Sequence, residues 1–185
     1  MRRWILVALF LTGFGLLCYI SLVVFRNHPF SLDEYNYLYQ AEIFSSGHIS
    51  LHFNKDLLAL FEKHTVFVNG NLFSKYPPGF SFILVPGVKL GVPGLINPLL
   101  SSAALVLIYL MADQLVGSLY ALFAALLIIS NSYFLGYAAS YFSQPSSMFL
   151  LSLTLFLYLR YKIIQKTQYL FAAALAVSCA TIVRP

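Results

Sequence analysis

The chain has 185 residues, of which 60% are hydrophobic and 9% are charged, and its mean hydropathy is +0.81. Soluble domains have about a quarter of their residues charged, so this composition excludes that class and indicates a polytopic membrane protein. The net charge is +5, but the basic residues stand mostly at the ends of apolar runs, where they fix membrane topology. Nucleic acid is therefore not an expected partner.

The first apolar run, residues 4–25, is long enough to cross a bilayer, which takes about 17 to 25 helical residues. Arg2 and Arg3 precede this run, and Arg26 follows it where a signal peptide would have a small-residue cleavage site. The run is therefore predicted to be a retained signal anchor that forms span 1. The two arginines favour a cytoplasmic N-terminus.

Further apolar runs complete an all-α bundle of about five spans, with spans 2 to 5 predicted at residues 98–116, 118–139, 146–161 and 167–183. A shorter apolar stretch, 79–92, is predicted to lie along the membrane surface. If it crossed, the basic residues of 160–166 would lie outside, against the positive-inside bias. This topology leaves a long external loop at 26–97 and a second external loop at 140–145.

Inside the long loop, local patterns predict an amphipathic helix and a hairpin. Ser31 and Glu34 have the Ser-x-x-Glu spacing of a capping box, which predicts a helix that starts at Asp33-Glu34 and ends at Gly47. Its aromatic residues suit the lipid headgroup layer, so the helix is predicted to lie flat on the membrane. An Asn-Gly pair between two β-prone runs predicts a small β-hairpin over residues 65–73.

Four charged residues of this outer region are candidates for chemistry. The capping box accounts for Glu34, whereas Asp33 gains only about 0.3 to 1 kcal/mol from the helix macrodipole, and Ser31 already supplies the cap. A carboxylate at a membrane surface is suited to accept a proton or to bind a divalent cation. Lys75 precedes two prolines at the level of lipid phosphates, and Arg184 closes the last span on the same side. Each is either a topology-setting anchor or a phosphate ligand.

The order of these pieces resembles a known family. A signal anchor, the pair Asp33-Glu34, the motif Lys75-Tyr76-Pro77-Pro78-Gly79-Phe80 and a second loop that ends in Ser143-Gln144-Pro145 are similar to the N-terminal half of GT-C-fold glycosyltransferases. The resemblance is to the protein O-mannosyltransferase and aminoarabinose transferase type, in particular its bacterial Rgt-like branch. It covers essentially the whole chain. It implies that residues 1–185 are the N-terminal portion of a single GT-C membrane domain, in a chain expected to be truncated.

The resemblance also implies an activity and a place in the cell envelope. A sugar would pass from a polyprenyl-phosphate donor to a lipid, glycan or protein acceptor, with inversion, on the outer face of the plasma (inner) membrane. Asp33 would be the catalytic base, and Glu34 would assist through the helix cap or hold the acceptor. Lys75 and Arg184 would bind the phosphate of the donor lipid. No cofactor is implied.

One departure from the family pattern concerns the second loop. Many relatives have a second acid there, but here Ser143 and Gln144 form this edge of the site, and neither can act as a base. This edge is also a poor ligand for a divalent metal, so a metal-free mechanism is favoured. The histidines do not pair at zinc-ligand spacing on a helix, so no metal site is predicted. Two alternatives stay open: a lipid-linked-sugar transporter or flippase, which predicts broken helices and ionisable residues at mid-membrane, and a non-catalytic subunit of the same fold.

Overall fold

The computed structural model describes residues 2–52 and 65–184. In these ranges the protein is mostly helical, with helices in the order α1 (Arg2–Tyr19), α2 (Leu32–Ser45), α3 (Pro78–Lys89), α4 (Ile96–Val116), α5 (Ser118–Ile129), α6 (Ser132–Ala138), α7 (Gln144–Ile164) and α8 (Thr167–Val183). A π-helical turn, Ile20–Val24, continues α1, and a 3₁₀ turn, Pro93–Leu95, leads into α4. The strands of a small sheet are β1 (Leu51–His52), β2 (Thr65–Val68) and β3 (Asn71–Ser74).

Three helical segments among the described residues are long and apolar enough to cross a membrane: Arg2–Val24, Pro93–Val116 and Gln144–Ile164. They coincide with predicted spans 1, 2 and 4. The helix α8 is apolar too, but it has only 17 residues, and its crossing as span 5 stays a prediction. These long apolar helices indicate a membrane protein.

The predicted span over residues 118–139 is not one straight helix. It consists of α5 and α6, whose axes differ by 69°, and it would be a fourth crossing only as a broken span. The Asn131 side chain accepts a 3.0 Å hydrogen bond from the Phe134 N–H and so caps α6. Residues 118–139 therefore stay a candidate for span 3 only as a broken pair of helices, because a capping asparagine starts a new helix inside an otherwise apolar run.

The predicted second loop, 140–145, is also shorter than expected. α7 begins at Gln144, so Gln144 and Pro145 form its first turn instead of ending the loop. A proline is favoured in this turn, because its missing N–H would have had no helical partner there. The helix that was predicted over 146–161 thus starts two residues earlier, and it continues to Ile164.

The helix α4 lies at the centre of the bundle, where it packs against α1, α5 and α7. Apolar side chains fill the contact between α1, α4 and α5: Leu9, Leu105, Tyr109, Ala121 and Ala125. Arg2 Nη2 lies 2.8 Å from Asp113 Oδ2, which joins the start of α1 to the last turn of α4. The two helices are therefore antiparallel. We call the opposite end of the bundle, where α1 and α8 finish and α4 and α7 begin, the loop end.

Two shorter helices, α2 and α3, pack against each other at the loop end. The predicted capping box of α2 is confirmed, since Ser31 Oγ accepts a 3.2 Å hydrogen bond from the Glu34 N–H. α2 ends at Ser45, and Gly47 follows with a φ of +84°, which favours glycine. α3 has 12 residues, about 18 Å, and is too short for about 30 Å of hydrocarbon. This agrees with the prediction that 79–92 does not cross.

β2 and β3 form the predicted antiparallel hairpin, with Asn69 and Gly70 at its turn and Phe67 opposite Leu72. β1 pairs with the other edge of β3, where Leu51 lies opposite the same Leu72. The sequence did not predict β1, because a strand of two residues has no alternation to read. The sheet thus has three strands in the order β1-β3-β2.

The Gln40 side chain joins this sheet to α2. Its Nε2 donates a 2.9 Å hydrogen bond to the Ile49 carbonyl, and its Oε1 accepts one of 2.9 Å from the Ser74 N–H at the end of β3. Gln40 is buried, so water competes little for either bond. The end of β3, and with it the following Lys75, is therefore held beside α2.

A second apolar cluster joins the loops to the bundle, and it contains Tyr37, Ala41, Phe80, Leu84, Tyr141 and Val183. Its members come from α2, α3, the second loop and the end of α8. The closest backbone approach is at Gly79, where a Cβ would lie 2.6 Å from the carbonyl carbon of Ile182. Only glycine permits this contact, so the start of α3 rests directly on the end of α8.

Candidate functional site

Asp33 lies in the first turn of α2, partly exposed, and its carboxylate accepts a hydrogen bond from the Tyr76 hydroxyl. The Tyr76 ring packs against the Tyr37 ring, with 4.9 Å between the centroids. Burial, and then the hydrogen bond to Asp33, raise the pKa of the Tyr76 phenol. The phenol therefore keeps its proton and acts as a donor that orients the carboxylate.

Lys75 is exposed, and its Nζ lies 4.9 Å from the centroid of the Tyr76 ring. This distance is within the range of a cation–π contact. The ammonium of Lys75 and the carboxylate of Asp33 thus lie around one tyrosine, which holds the first through its ring and the second through its hydroxyl. Asp33 and Lys75, two of the four charged residues predicted from the sequence, thus both contact Tyr76.

Glu34 has a different environment from its neighbour. It is 1% exposed, and its Oε2 accepts hydrogen bonds of 2.9 Å from the N–H groups of Phe30 and Ser31. Its Oε1 accepts another of 2.9 Å from the N–H of Tyr141, which belongs to the second loop. A molecule that accepts the sugar could bind this carboxylate only by breaking these hydrogen bonds. The described contacts of Glu34 are those of the helix cap and of the link to the second loop, and its part in the reaction stays a prediction.

Tyr141 completes the link between the two loops. Its hydroxyl donates a 2.7 Å hydrogen bond to Asn27 Oδ1, in the turn that follows α1. Burial, and then the nearby charge of Glu34, raise the pKa of Tyr141 from its ordinary value of 10.0 to about 12. Sequence reasoning missed Tyr141 and Asn27, because nothing in their local pattern distinguishes them from other loop residues.

Ser143 and Gln144 are the predicted edge of the site in the second loop, and their side chains have different contacts. Ser143 is 2% exposed, and its Oγ lies 3.2 Å from the Tyr37 hydroxyl. The Tyr37 ring in turn packs against Tyr76, so Ser143 contacts the tyrosine pair that adjoins Asp33. The Oε1 of Gln144 is buried and has no hydrogen-bond partner among the described residues.

Asn97 holds the second loop to the first turn of α4. Its Nδ2 donates hydrogen bonds of 2.7 Å and 2.8 Å to the carbonyls of Ser140 and Phe142, and its Oδ1 accepts one of 3.3 Å from Ser146 Oγ. Asn97 is 1% exposed, so it is a structural residue. The signal that could have found it is an amide at the start of an apolar span, where a polar side chain needs a partner.

Arg184 follows the last residue of α8, and its side chain is exposed. The preceding Val183 is buried in the same cluster as Tyr37. Gly79, four residues after Lys75, contacts the backbone of Ile182. Arg184 therefore lies at the loop end with Lys75 and Asp33, and its role as a phosphate ligand stays a prediction.

No group of three His, Cys, Asp or Glu side chains that could hold a metal ion occurs within residues 2–52 and 65–184. What the site offers is a partly exposed carboxylate, fixed by a phenol, with basic side chains at the same end of the bundle. A carboxylate in that position can take a proton from a hydroxyl or amine, and a lysine or arginine can neutralise a phosphate.

No family model matches this chain, and no curated protein or solved structure matches it either.

Proposed function

We propose that this protein is a membrane glycosyltransferase of the GT-C type, which transfers a sugar from a polyprenyl-phosphate donor to an acceptor hydroxyl or amine. The acceptor is a lipid, a glycan or a protein. The reaction takes place at the loop end, on the outer face of the plasma membrane, with the N-terminus in the cytoplasm. The ion pair between Arg2 and Asp113 supports this orientation in part, since it puts Arg2 at the end opposite Asp33.

The proposed step is one inverting displacement. The acceptor oxygen or nitrogen forms a bond to the anomeric carbon while the bond from that carbon to the phosphate oxygen breaks. The acceptor proton passes to the Asp33 carboxylate, and the electron pair leaves with the phosphate. General-base help of this kind typically contributes about 10²–10⁴ to a rate. Tyr76 holds the carboxylate in the orientation that receives the proton.

The leaving phosphate gains negative charge as the bond breaks. Lys75 and Arg184 are the proposed partners of this charge, because a fixed cation is most effective where charge develops. A phosphate is a good leaving group, so its neutralisation matters more than its protonation. The step needs no charged side chain in the second loop, where the chain has Ser143 and Gln144.

The single observation that carries this proposal is the contact of Tyr76 with both Asp33 and Lys75. A capping residue or a topology-setting lysine needs no such arrangement. Glu34 and Ser31 already satisfy the start of α2, so the cap leaves the Asp33 carboxylate unexplained.

The proposal is tested with membranes that contain the protein and membranes that lack it. Both receive a set of radiolabelled polyprenyl-phosphate sugars, and the label is measured in the lipid, glycan and protein fractions together with the polyprenyl phosphate released. We expect equal amounts of transferred label and released polyprenyl phosphate, only where the protein is present. Donors that all stay intact in both membranes would contradict the proposal.

A second candidate is a flippase for lipid-linked sugars, and the 69° break between α5 and α6 is the observation that favours it. Broken helices often line transport sites. The same labelled donors distinguish the two functions when the protein is reconstituted in vesicles. A flippase would move the intact donor to the other leaflet, whereas a transferase would cleave it.

A further inference from the structure

A cavity of about 230 Å³ lies at the loop end, where α6 meets the first turns of α4 and α7. Its lining includes three aromatic side chains, one methionine and two polar groups, which are Tyr133, Phe134, Tyr137, Met148, Ser101 and Gln144. A neighbouring cavity of about 310 Å³ shares Tyr133 and Tyr137 and reaches Phe142. Binding pockets for small molecules begin at about 300 Å³, so the pair is large enough for a ligand the size of one ring.

The two polar groups of the first cavity have no partner within the described part of the chain. Ser101 is 0% exposed, and its Oγ makes no hydrogen bond there; the same holds for the buried Oε1 of Gln144. The neighbouring Ser102 hydroxyl is paired in the usual way for a helical serine, since it donates a 2.8 Å hydrogen bond to the Pro98 carbonyl. Buried polar atoms are normally paired, so two unpaired atoms in one cavity point to a ligand.

Ordered water alone is a poor occupant of this cavity. A water molecule takes about 30 Å³ and needs two to four polar partners, so several would have to share Ser101 and Gln144. Most of the remaining lining is apolar. The walls suit a group that is largely apolar or has an apolar face, with one or two hydrogen-bonding atoms at its edge.

From these features we infer that the cavity binds a neutral, hydroxyl-bearing group, namely a sugar ring. Gln144 Oε1 would accept a hydrogen bond from one hydroxyl, and Ser101 Oγ would donate to or accept from another. None of the described side chains that line the cavity is charged, which disfavours a phosphate. The aromatic side chains provide flat surfaces for the C–H face of the ring.

The choice of a sugar rests on the proposed function, since Gln144 directly follows Ser143, which contacts Tyr37 in the Asp33 network. The glycerol headgroup of a neutral lipid offers the same hydroxyl chemistry. The cavity would thus hold a sugar of the donor or acceptor, and Gln144 would have a binding role at the position where the resemblance implies an acid.

The test measures binding without transfer. The protein is reconstituted in phosphatidylcholine nanodiscs, and saturation-transfer NMR is recorded with methyl glycosides of glucose, mannose, galactose and arabinose, and separately with a diacylglycerol. We expect saturable binding of at least one glycoside. Ser101→Ala should weaken it about fivefold and Gln144→Leu about tenfold, since each removes one hydrogen bond.

Two matched variants control for buried polar groups in general. Ser102→Ala removes the adjacent buried hydroxyl, and Gln114→Leu removes another buried, unpaired Oε1 that lies 13 residues further along α4. Both should bind the glycoside within about twofold of the wild type, and the two cavity variants should keep the thermal midpoint of the wild type. Ser101 Oγ and Gln144 Oε1 make no hydrogen bond with the described residues, so Ser101→Ala and Gln144→Leu break none at these atoms.

The outcomes separate the inference from the proposed function. Glycoside binding that depends on Ser101 and Gln144 supports the inference even if no donor sugar is ever transferred. Binding of diacylglycerol without binding of any glycoside would support a site for hydroxyl groups and would overturn the choice of a sugar. No saturable binding, or binding that both cavity variants leave unchanged, overturns the inference even if transfer is observed.

Discussion

The hydroxyl of Tyr76 donates a hydrogen bond to the carboxylate of Asp33, 43 residues earlier in the chain. The same Tyr76 lies beneath the ammonium of Lys75. One side chain of the first loop thus fixes both charged groups on which the proposed chemistry depends. Tyr76 is held in turn by Tyr37, whose ring packs against it and whose hydroxyl contacts Ser143.

The contribution of this hydrogen bond can be measured with Tyr76→Phe. The variant keeps the ring, and with it the contacts with Tyr37 and Lys75, but it loses the donor to Asp33. A hydrogen bond to a charged group contributes about 1.5–3 kcal/mol, so kcat for sugar transfer should fall about tenfold to a hundredfold. KM should change little, because the bond orients the base and does not bind substrate.

Tyr35→Phe is the matched control for this variant. Tyr35 lies in α2 too, but its side chain is 54% exposed, so the loss of its hydroxyl should leave kcat unchanged. Equal effects of the two substitutions on kcat would show that Tyr76 does not position Asp33.

Glu34→Gln should destabilise the protein. The glutamine amide has one acceptor oxygen, whereas the Glu34 carboxylate accepts bonds from three N–H groups, of Phe30, Ser31 and Tyr141. At least one buried N–H therefore loses its partner, at a cost of about 2 kcal/mol or more, and the thermal midpoint should fall by several degrees. Glu42→Gln, at an exposed position of the same helix, should leave the midpoint unchanged. A Glu34→Gln protein with a normal midpoint and no transfer would instead assign Glu34 to the reaction.

Gly79→Ala tests the contact between α3 and α8. The added methyl group would lie 2.6 Å from the Ile182 carbonyl, so the two helices must move apart, at a cost of about 1–3 kcal/mol. Because Lys75 precedes one helix and Arg184 follows the other, we also expect weaker donor binding, seen as a higher KM. In Gly15→Ala the added methyl group, in α1, would meet no atom of the described residues within 4 Å beyond the nearby backbone of its own helix, so this variant should fold normally. A wild-type midpoint for Gly79→Ala would contradict this packing.

Tyr141 makes the stability of the fold sensitive to alkaline pH. Its pKa of about 12 exceeds the ordinary value of 10.0, so folding favours the neutral phenol. This contribution is fully present below pH 10 and is lost as the pH rises toward 12. The thermal midpoint of the wild type should therefore fall more steeply over this range than that of Tyr141→Phe, which has no phenol to ionise. Parallel curves for the two proteins would contradict the assignment.

The sequence alone was sufficient to predict those elements whose structure is determined by one short segment. The spacing of Ser31 and Glu34 predicted the start of α2, and the Asn-Gly pair predicted the hairpin of β2 and β3. In both cases the deciding interactions join residues at most nine positions apart. The long apolar runs likewise predicted the segments that became α1, α4 and α7.

The sequence was insufficient where the partners are far apart. Glu34 meets Tyr141 across 107 positions, and no local pattern distinguishes that tyrosine from others. The break at Asn131 lies inside a run whose apolar character continues on both sides, so hydropathy alone does not reveal it. The network of Asp33, Tyr76 and Tyr37 is a tertiary arrangement, and the sequence supplied its charged members without the tyrosines that hold them.

The rate of sugar transfer by Asp33→Asn tests the central claim most directly. The substitution keeps the size of the side chain and its hydrogen bond from Tyr76, but it removes the proton acceptor. Asp113→Asn is the control, since it removes a carboxylate at the other end of the bundle, where Asp113 pairs with Arg2. We predict that transfer by Asp33→Asn falls at least about a hundredfold, with a wild-type thermal midpoint, while Asp113→Asn retains most of its activity. Transfer by Asp33→Asn at a rate close to that of the wild type would contradict the account.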